Sequence, residues 1–141
     1  MKIIDAKGLV AGRLASKVAK ELLMGETVSV VNVSDVVVSG TLAYEIKRLN
    51  SLKHQKSKTN PEHSPKYPRV PRMLFKRMVR GMLPKKTSRG RDALHRLRAY
   101  EGVPVTIDMG KAERPAGLDK KPVKATTLGA VCRAFSWAPQ Q

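Results

Sequence analysis

The first 33 residues combine two hydrophobic periodicities in the order strand, helix, strand. Lys2–Asp5 predicts a short strand. Apolar residues then return every three or four positions from Leu9 to Leu23, which predicts an amphipathic helix. Gly25 ends that helix, and glycine readily takes the left-handed position found there. Thr27–Val33 is rich in β-branched residues and predicts a central strand. This order is typical of a βαβ unit with parallel strands and a right-handed crossover.

The apolar pattern that follows is weaker and predicts a second extended segment and a helix. Val36–Val38 is the extended segment, and Ser39–Thr41 offers helix N-cap chemistry. The helix ends near Leu52 and has one apolar face: Leu42, Ile46 and Leu49. Residues 53–69 have no periodicity and contain five basic residues and three prolines, so they predict a long basic loop.

Residues 72–82 separate polar from apolar side chains cleanly. They follow Pro71, a residue that starts helices well. Placed at 100° per residue, the basic residues share one side: Arg72, Lys76, Arg77 and Arg80. The apolar residues share the other: Leu74, Phe75, Met78, Val79 and Met82. Only Met73 lies among the charges. The pattern predicts an amphipathic helix with a basic outer face.

The remaining sequence predicts a second basic helix, a last strand and a last helix. A basic loop, 85–91, precedes the helix, whose inward residues are Ala93, Leu94, Leu97 and Tyr100 and whose outward residues are Arg91, His95 and Arg98. Val105–Ile107 predicts the strand, and 108–122 is rich in turns. The last helix begins near Thr127 and presents Leu128, Val131, Cys132 and Phe135.

These elements predict a single domain, 1–141, of the α/β class. We expect a mostly parallel central sheet flanked by helices on both faces. A basic helical and loop region, 47–98, is inserted between the sheet strands, and 115–141 forms a C-terminal extension.

The charge of the chain is concentrated in that insertion. Residues 47–98 carry 17 Lys and Arg against two acids, whereas 1–46 are neutral and 99–141 have a surplus of two. A field of this strength destabilises a compact fold unless a polyanion meets it. Nucleic acid is the commonest such partner.

Other classes of function find little support in the composition. Aromatic residues make up 4%, too few for a binder built on stacked single-stranded bases. Cys132 is the only cysteine, and the three histidines lack ligand spacing, so we expect no disulfide and no metal site. No nucleophile, acid–base pair or cofactor motif is evident, so we expect no enzyme, cofactor or small-molecule substrate. The absence of a long apolar run and of a signal-like start predicts a cytoplasmic protein without membrane contact.

The turn Gly8–Gly12 offers an alternative, because it joins a strand to a helix, and Asp35 lies further on. A dinucleotide site requires Gly-x-Gly-x-x-Gly, and a phosphate loop requires a Lys-Ser/Thr pair after its glycines. Neither motif is present. The favoured interpretation is that Gly8 makes a turn and Gly12 lets the helix pack on the sheet.

The basic region has two other possible explanations besides nucleic-acid binding. It could be an ordinary solvated helix face, or it could bind an anionic membrane surface. A solvated helix usually carries acids at i, i+4 from its bases, and here acids are nearly absent. A membrane would require free apolar residues beside the charges, whereas Leu74, Phe75 and Val79 are predicted core residues. Contact with nucleic acid is the favoured interpretation.

Several stretches, in order and spacing, resemble the universal large-subunit ribosomal protein family thirteen. The first are Asp5-Ala6-x-Gly8 with Gly12–Ser16, and Val30–Asn32 through Val36–Gly40. The strongest run is Arg80–Lys86, followed by Gly90-Arg91, Ala93-Leu94, Arg96-Leu97 and Tyr100–Pro104. The tail from Thr127-Leu128-Gly129 to Trp137 is similar to the archaeal and eukaryotic branch, as is the lack of a His-Pro-His motif.

The resemblance implies an α/β fold and a structural role on large-subunit ribosomal RNA in the cytoplasmic ribosome, beside neighbouring large-subunit ribosomal proteins. The expected RNA-binding residues are basic positions in or beside the matched motifs: Arg72, Lys76, Arg77, Arg80, Lys85, Lys86, Arg89, Arg91 and Arg98. Alternatives are a free RNA-binding translational regulator, which has the same sequence features, and a nucleotide-binding α/β enzyme that uses the Gly8–Gly12 turn.

Overall fold

The computed structural model describes residues 1–118, 122–135 and 137. The α-helices in this part of the chain are α1 (Ala11–Leu23), α2 (Leu42–His54), α3 (Pro71–Met82), α4 (Ser88–His95) and α5 (Leu128–Ala134). The strands there are β1 (Lys2–Asp5), β2 (Val28–Val31), β3 (Val37–Ser39), β4 (Leu97–Ala99), β5 (Ala112–Glu113) and β6 (Ala125–Thr127).

Four strands form a parallel sheet in the order β4-β2-β1-β5. Ile4 pairs with Val30, and Val28 pairs with Leu97, so these apolar side chains share one face. The predicted βαβ unit and the α/β class with a mostly parallel sheet are confirmed. Strands β3 and β6 form a separate antiparallel pair.

The main core lies between one face of the sheet and helices α1, α3 and α4. Ile4 and Val30 of the sheet, Leu14 of α1 and Phe75 of α3 are all fully buried. Each such side chain contributes about 1.5–3 kcal/mol through burial. The helix that carries the basic face is therefore part of the core of the domain.

The other face of the sheet is covered differently. Ile3 and Val31 pack there with Ile107, Tyr100 and Ala112. Helices were expected on both faces, but within the described residues this second cluster contains no helical residue. Ile107, from the irregular segment after β4, packs there against the sheet.

Two predicted elements in this region are wrong. Residues 97–99 form β4 rather than the end of a helix, because the edge of β2 offers them a parallel partner at Val28–Val30. Val105–Ile107 is a turn, in which the Ile107 N–H donates to the Pro104 carbonyl at 3.1 Å and the Val105 side chain is fully exposed.

Helix α2 is confirmed, but its inner face differs from the prediction. Thr41 caps the helix by accepting from the Tyr44 N–H. The buried residues are Glu45 and Leu49, whereas Leu42 is 40% exposed. Glu45 is tolerated because its carboxylate accepts two hydrogen bonds from the Arg48 guanidinium, the shorter at 2.8 Å. The loop that follows holds a 3₁₀ turn at Pro61–His63.

The described part of the predicted C-terminal extension packs on the domain. Strand β6 pairs with β3, and the Leu128 N–H donates to the Val36 carbonyl at 2.8 Å. Leu128 and Cys132 are buried in the main core. Residues 119–121, 136 and 138–141 of the extension lie outside the described residues.

Candidate nucleic-acid interface

Helix α3 is held by one apolar face and carries cations on the other. Leu74, Phe75 and Val79 are buried, and the basic side chains opposite them are exposed or half-buried, as predicted. The inner face ends differently from the prediction, because Met82 is 44% exposed and Leu83 is buried instead. Leu83 follows the last helical residue in an extended conformation, which allows its side chain to pack inward.

Helix α4 is fixed by a close backbone contact. Thr87 accepts from the Gly90 N–H and caps the helix. A Cβ at Gly90 would overlap the Pro84 carbonyl, so no larger residue fits there without a backbone shift. The segment between α3 and α4, with Lys85 and Lys86, is thereby held against the first turn of α4.

Two arginines from this region bind the C-terminal end of α1. A guanidinium nitrogen of Arg96 donates to the Leu22 carbonyl at 2.8 Å, and one of Arg89 donates to the Leu23 carbonyl at 3.3 Å. Cations at a helix C-terminus satisfy free carbonyls and offset the helix dipole. Arg89, a predicted RNA-binding residue, thus has a structural contact. Arg96 was named in the sequence only as part of a matched motif, and its structural contact was not predicted because its partner lies 74 residues away.

A groove of about 570 Å³ lies where α3, the end of α4 and β4 meet the segment 66–68. We call it the α3–β4 groove. Its lining residues are Lys66, Tyr67, Pro68, Met73, Lys76, Arg77, Arg80, Leu94, His95, Leu97 and Arg98. None of these lining residues is acidic. The groove brings together four predicted cations, at 76, 77, 80 and 98.

A smaller hollow of about 270 Å³ continues from the groove. It shares Arg80 and Leu94 with the groove and adds Lys85 and Arg91. The groove and the hollow together form one basic surface with six predicted cations, here called the α3–α4 surface: Lys76, Arg77, Arg80, Lys85, Arg91 and Arg98. The exposed Lys86 side chain lies in the same connecting segment as Lys85.

Arg77 is held in place at the rim of the groove. Its guanidinium lies 3.8 Å from the centre of the Tyr67 ring and donates to the Lys66 carbonyl at 3.0 Å. These contacts tie the end of the long basic loop to α3. Charge alone had suggested a role for this loop, whereas the stacking partner Tyr67 had no sequence signal.

Lys76 is half-buried and lies near other cations. Burial, followed by the nearby charges of Arg98 and Arg72, lowers the pKa of Lys76 below its usual 10.5. Arg72 itself lies 3.6 Å from the Glu101 carboxylate, so its charge is partly balanced within the protein. An anion bound in the groove would relieve the repulsion at Lys76.

The Gly8–Gly12 turn is occupied by internal contacts. The Gly8 N–H donates to the Asp35 carbonyl at 3.1 Å. The Asp5 carboxylate accepts from the Asn32 amide at 2.8 Å and from the Lys7 N–H. Gly12 is exposed and has open space where a Cβ would stand, so the predicted packing role of Gly12 is wrong.

Groups associated with catalysis or membranes are sparse in the part of the chain that the structure describes. It contains no cluster of three His, Cys, Asp or Glu residues able to hold a metal ion. Burial, followed by the charge of Glu101, raises the pKa of the Cys132 thiol to about 12. No helix among these residues has the length and apolar character needed to span a membrane.

Comparison with known proteins identifies the family of this chain. The family described as Ribosomal protein L13 matches residues 1–106. The chain belongs to the ribosomal protein L13 family. The matched part includes α3, α4 and β4, and so every element that lines the α3–β4 groove. Members of the L13 family are structural proteins rather than enzymes, and the resemblance noted in the sequence is confirmed.

Individual relatives of this L13-family chain come from archaea. Large ribosomal subunit protein uL13 of Archaeoglobus fulgidus is 44% identical over 93% of this chain and 85% of its own length. The protein of the same name from Aeropyrum pernix is 43% identical over 96% and 89%. That of Methanococcoides burtonii is 46% identical over 74% and 73%.

Proposed function

We propose that this chain is a structural constituent of the large ribosomal subunit and binds folded large-subunit ribosomal RNA through the α3–α4 surface. The relatives named as large-subunit proteins support the ribosomal role. The observation that carries the RNA-binding role is that six predicted cations share one continuous surface with no acid among its lining residues. The proposed location is therefore the cytoplasmic ribosome, beside neighbouring ribosomal proteins.

The mode of binding follows from the side chains. Lys and Arg on a rigid surface neutralise phosphates and position a protein on RNA without reading its sequence. Specificity then comes from the shape of the RNA fold. Because α3 is anchored by buried Phe75 and Val79, its backbone has little conformational freedom left to lose on binding.

The remaining predicted residues have a smaller part in this proposal. Arg72 is balanced by Glu101, and Arg89 is bonded to the end of α1. Lys86 is exposed in the connecting segment and extends the surface. We therefore assign the main phosphate contacts to the six cations of the α3–α4 surface.

Sedimentation and salt titration test this function. The tagged full chain should co-migrate stoichiometrically with large subunits in a lysate from its source organism. Its affinity for purified large-subunit RNA should fall by about 10³-fold between 50 and 200 mM salt if six phosphates are neutralised. A flat salt response, or migration as a free protein at low salt, would contradict the proposal.

A further inference from the structure

The α3–β4 groove carries apolar side chains that phosphate binding does not use. Pro68, Met73, Leu94 and Leu97 line it beside the cations. Met73 is 49% exposed, on the helix face that otherwise carries charge. A phosphate gains nothing from such a lining, whereas a nucleobase has two apolar faces that gain from burial.

The cations of the groove could bind the phosphate of a nucleotide whose base contacts the apolar side chains. Lys76 and Arg98 stand close together: burial, followed by the nearby charge of Arg98, lowers the pKa of Lys76. They are lining residues of a concave site of about 570 Å³. Sites that hold whole small ligands span roughly 300–1,000 Å³. A groove lined by both apolar and basic side chains fits a single nucleotide better than a duplex backbone, which presents phosphates but no exposed base face.

Arg77 adds a planar group whose position is set before binding. Its stacking on Tyr67 and its hydrogen bond to the Lys66 carbonyl fix the guanidinium at the rim of the groove. Proteins that recognise unstacked RNA bases commonly stack them on aromatic rings or guanidinium planes. A preset guanidinium reduces the side-chain entropy lost on binding.

We propose that the α3–β4 groove receives one nucleotide extruded from the RNA fold, with its base against Met73 and its phosphate against Lys76 and Arg98. The inference rests on the proposed RNA-binding function and deepens it, because it names an unpaired nucleotide as the ligand. A basic peptide segment of a neighbouring protein is disfavoured as occupant, since the charged lining residues of the groove are all basic.

The first measurement is a site-specific crosslink. Met73 is replaced by the photo-crosslinking amino acid p-benzoylphenylalanine in the full chain, which is then bound to purified large-subunit RNA. Met24, 80% exposed at the end of α1, carries the same replacement as a control. Reverse transcription of the irradiated RNA should show one dominant stop at an unpaired nucleotide for position 73, and not for position 24.

The second measurement removes only the base of the mapped nucleotide. An abasic substitution keeps the phosphate, so the salt slope should stay unchanged. The affinity of the unmodified protein should fall by about 5- to 150-fold, the effect of losing one stacked base. The same substitution at an unpaired nucleotide that does not crosslink is the control and should change affinity by less than about twofold, by the same reasoning.

The outcomes separate this inference from the function on which it rests. If the unmodified chain fails to bind large-subunit RNA, both proposals fall. If it binds with a steep salt slope but position 73 gives no crosslink, or stops only in paired RNA, the nucleotide site alone falls. An abasic substitution without effect, or a crosslink from position 73 to a protein in intact subunits, also overturns it.

Discussion

Arg96 and Arg98 are two residues apart and carry the same charge, but the structure gives them different roles. Arg96 is half-buried and donates to the Leu22 carbonyl at 2.8 Å, at the end of α1. Arg98 is exposed and lines the α3–β4 groove. Arg96→Met and Arg98→Met each keep an apolar stem and remove one charge, so the two variants form a matched pair.

The expected cost of Arg96→Met is the balance of three effects. The lost charged hydrogen bond lowers the free energy of unfolding by about 1.5–3 kcal/mol, and the lost cation at the helix end by about 0.3–1 kcal/mol. Arg96 Nε is buried without a partner, so its removal recovers about 1–3 kcal/mol. We expect a net loss of about 1 kcal/mol, which lowers Tm by about 3–5 °C in a chain of this size.

Thermal unfolding and RNA filter binding distinguish the two roles. Arg96→Met should lower Tm and leave affinity for large-subunit RNA within about twofold when measured well below Tm, because no phosphate contact is lost. Arg98→Met should leave Tm unchanged or slightly raised, because the charge of Arg98 is one of the causes that lower the pKa of Lys76. It should also reduce the slope of log affinity against log salt by about 0.9. The opposite pattern, or loss of both properties in both variants, would refute the assigned roles.

Three further predictions follow from the packing and the pKa shifts. Gly90→Ala should destabilise the domain by about 1–3 kcal/mol in urea unfolding, because its Cβ would overlap the Pro84 carbonyl. Gly81→Ala, in a helix and with open space, should stabilise by about 0.5–1 kcal/mol, and equal effects would contradict the packing argument. Lys76→Met should weaken RNA binding but raise the free energy of unfolding at neutral pH, since the lowered pKa of Lys76 means that its charged form is penalised in the folded state. That advantage should shrink as pH rises through the folded pKa of Lys76 toward 10.5, and a variant less stable at pH 7 would contradict it. Cys132, with its thiol pKa raised to about 12, should resist Ellman's reagent at pH 8 until the chain is unfolded, and fast native reaction would show that the thiol is accessible.

The elements that the sequence predicted well are those whose signal is local. Helices α1 and α3 each have a full apolar stripe, and Thr127 caps α5 through the Ala130 N–H. A helix of 12 or 13 residues holds enough periods to be recognised by itself. The same stripes separated the charged face of α3 from its core face.

The strands that were missed depend on distant partners. Strand β5 has two residues and β4 has three, too few to show a period. Residues 97–99 continued the helical pattern of α4 in sequence, but pairing with β2 decides their conformation. Tertiary context overrides local preference in such short segments.

The candidate site was predicted in its charges but not in its shape. Basic residues of α3 and β4 were identified from the charge pattern and the matched family motifs, while the groove between them depends on how the segment 66–68 returns to α3. The structural contacts of Arg89 and Arg96 could not be predicted either, because their partners on α1 are 66 and 74 residues away in sequence. A charge pattern does not distinguish a cation that caps a helix from one that is free to meet RNA.

The location of the RNA-binding surface is tested most directly by two charge-reversal variants of equal net charge. Arg80→Glu with Arg98→Glu reverses two cations of the α3–β4 groove, and Lys7→Glu with Lys124→Glu reverses two exposed lysines outside the basic region. Affinity for large-subunit RNA at a fixed salt concentration is the measurement, with unfolding curves to confirm that both variants fold. We expect the groove pair to lose at least about tenfold more affinity than the control pair, because only the groove pair removes phosphate contacts. Equal losses in the two variants would mean that net charge alone drives binding and that the α3–α4 surface is not the site.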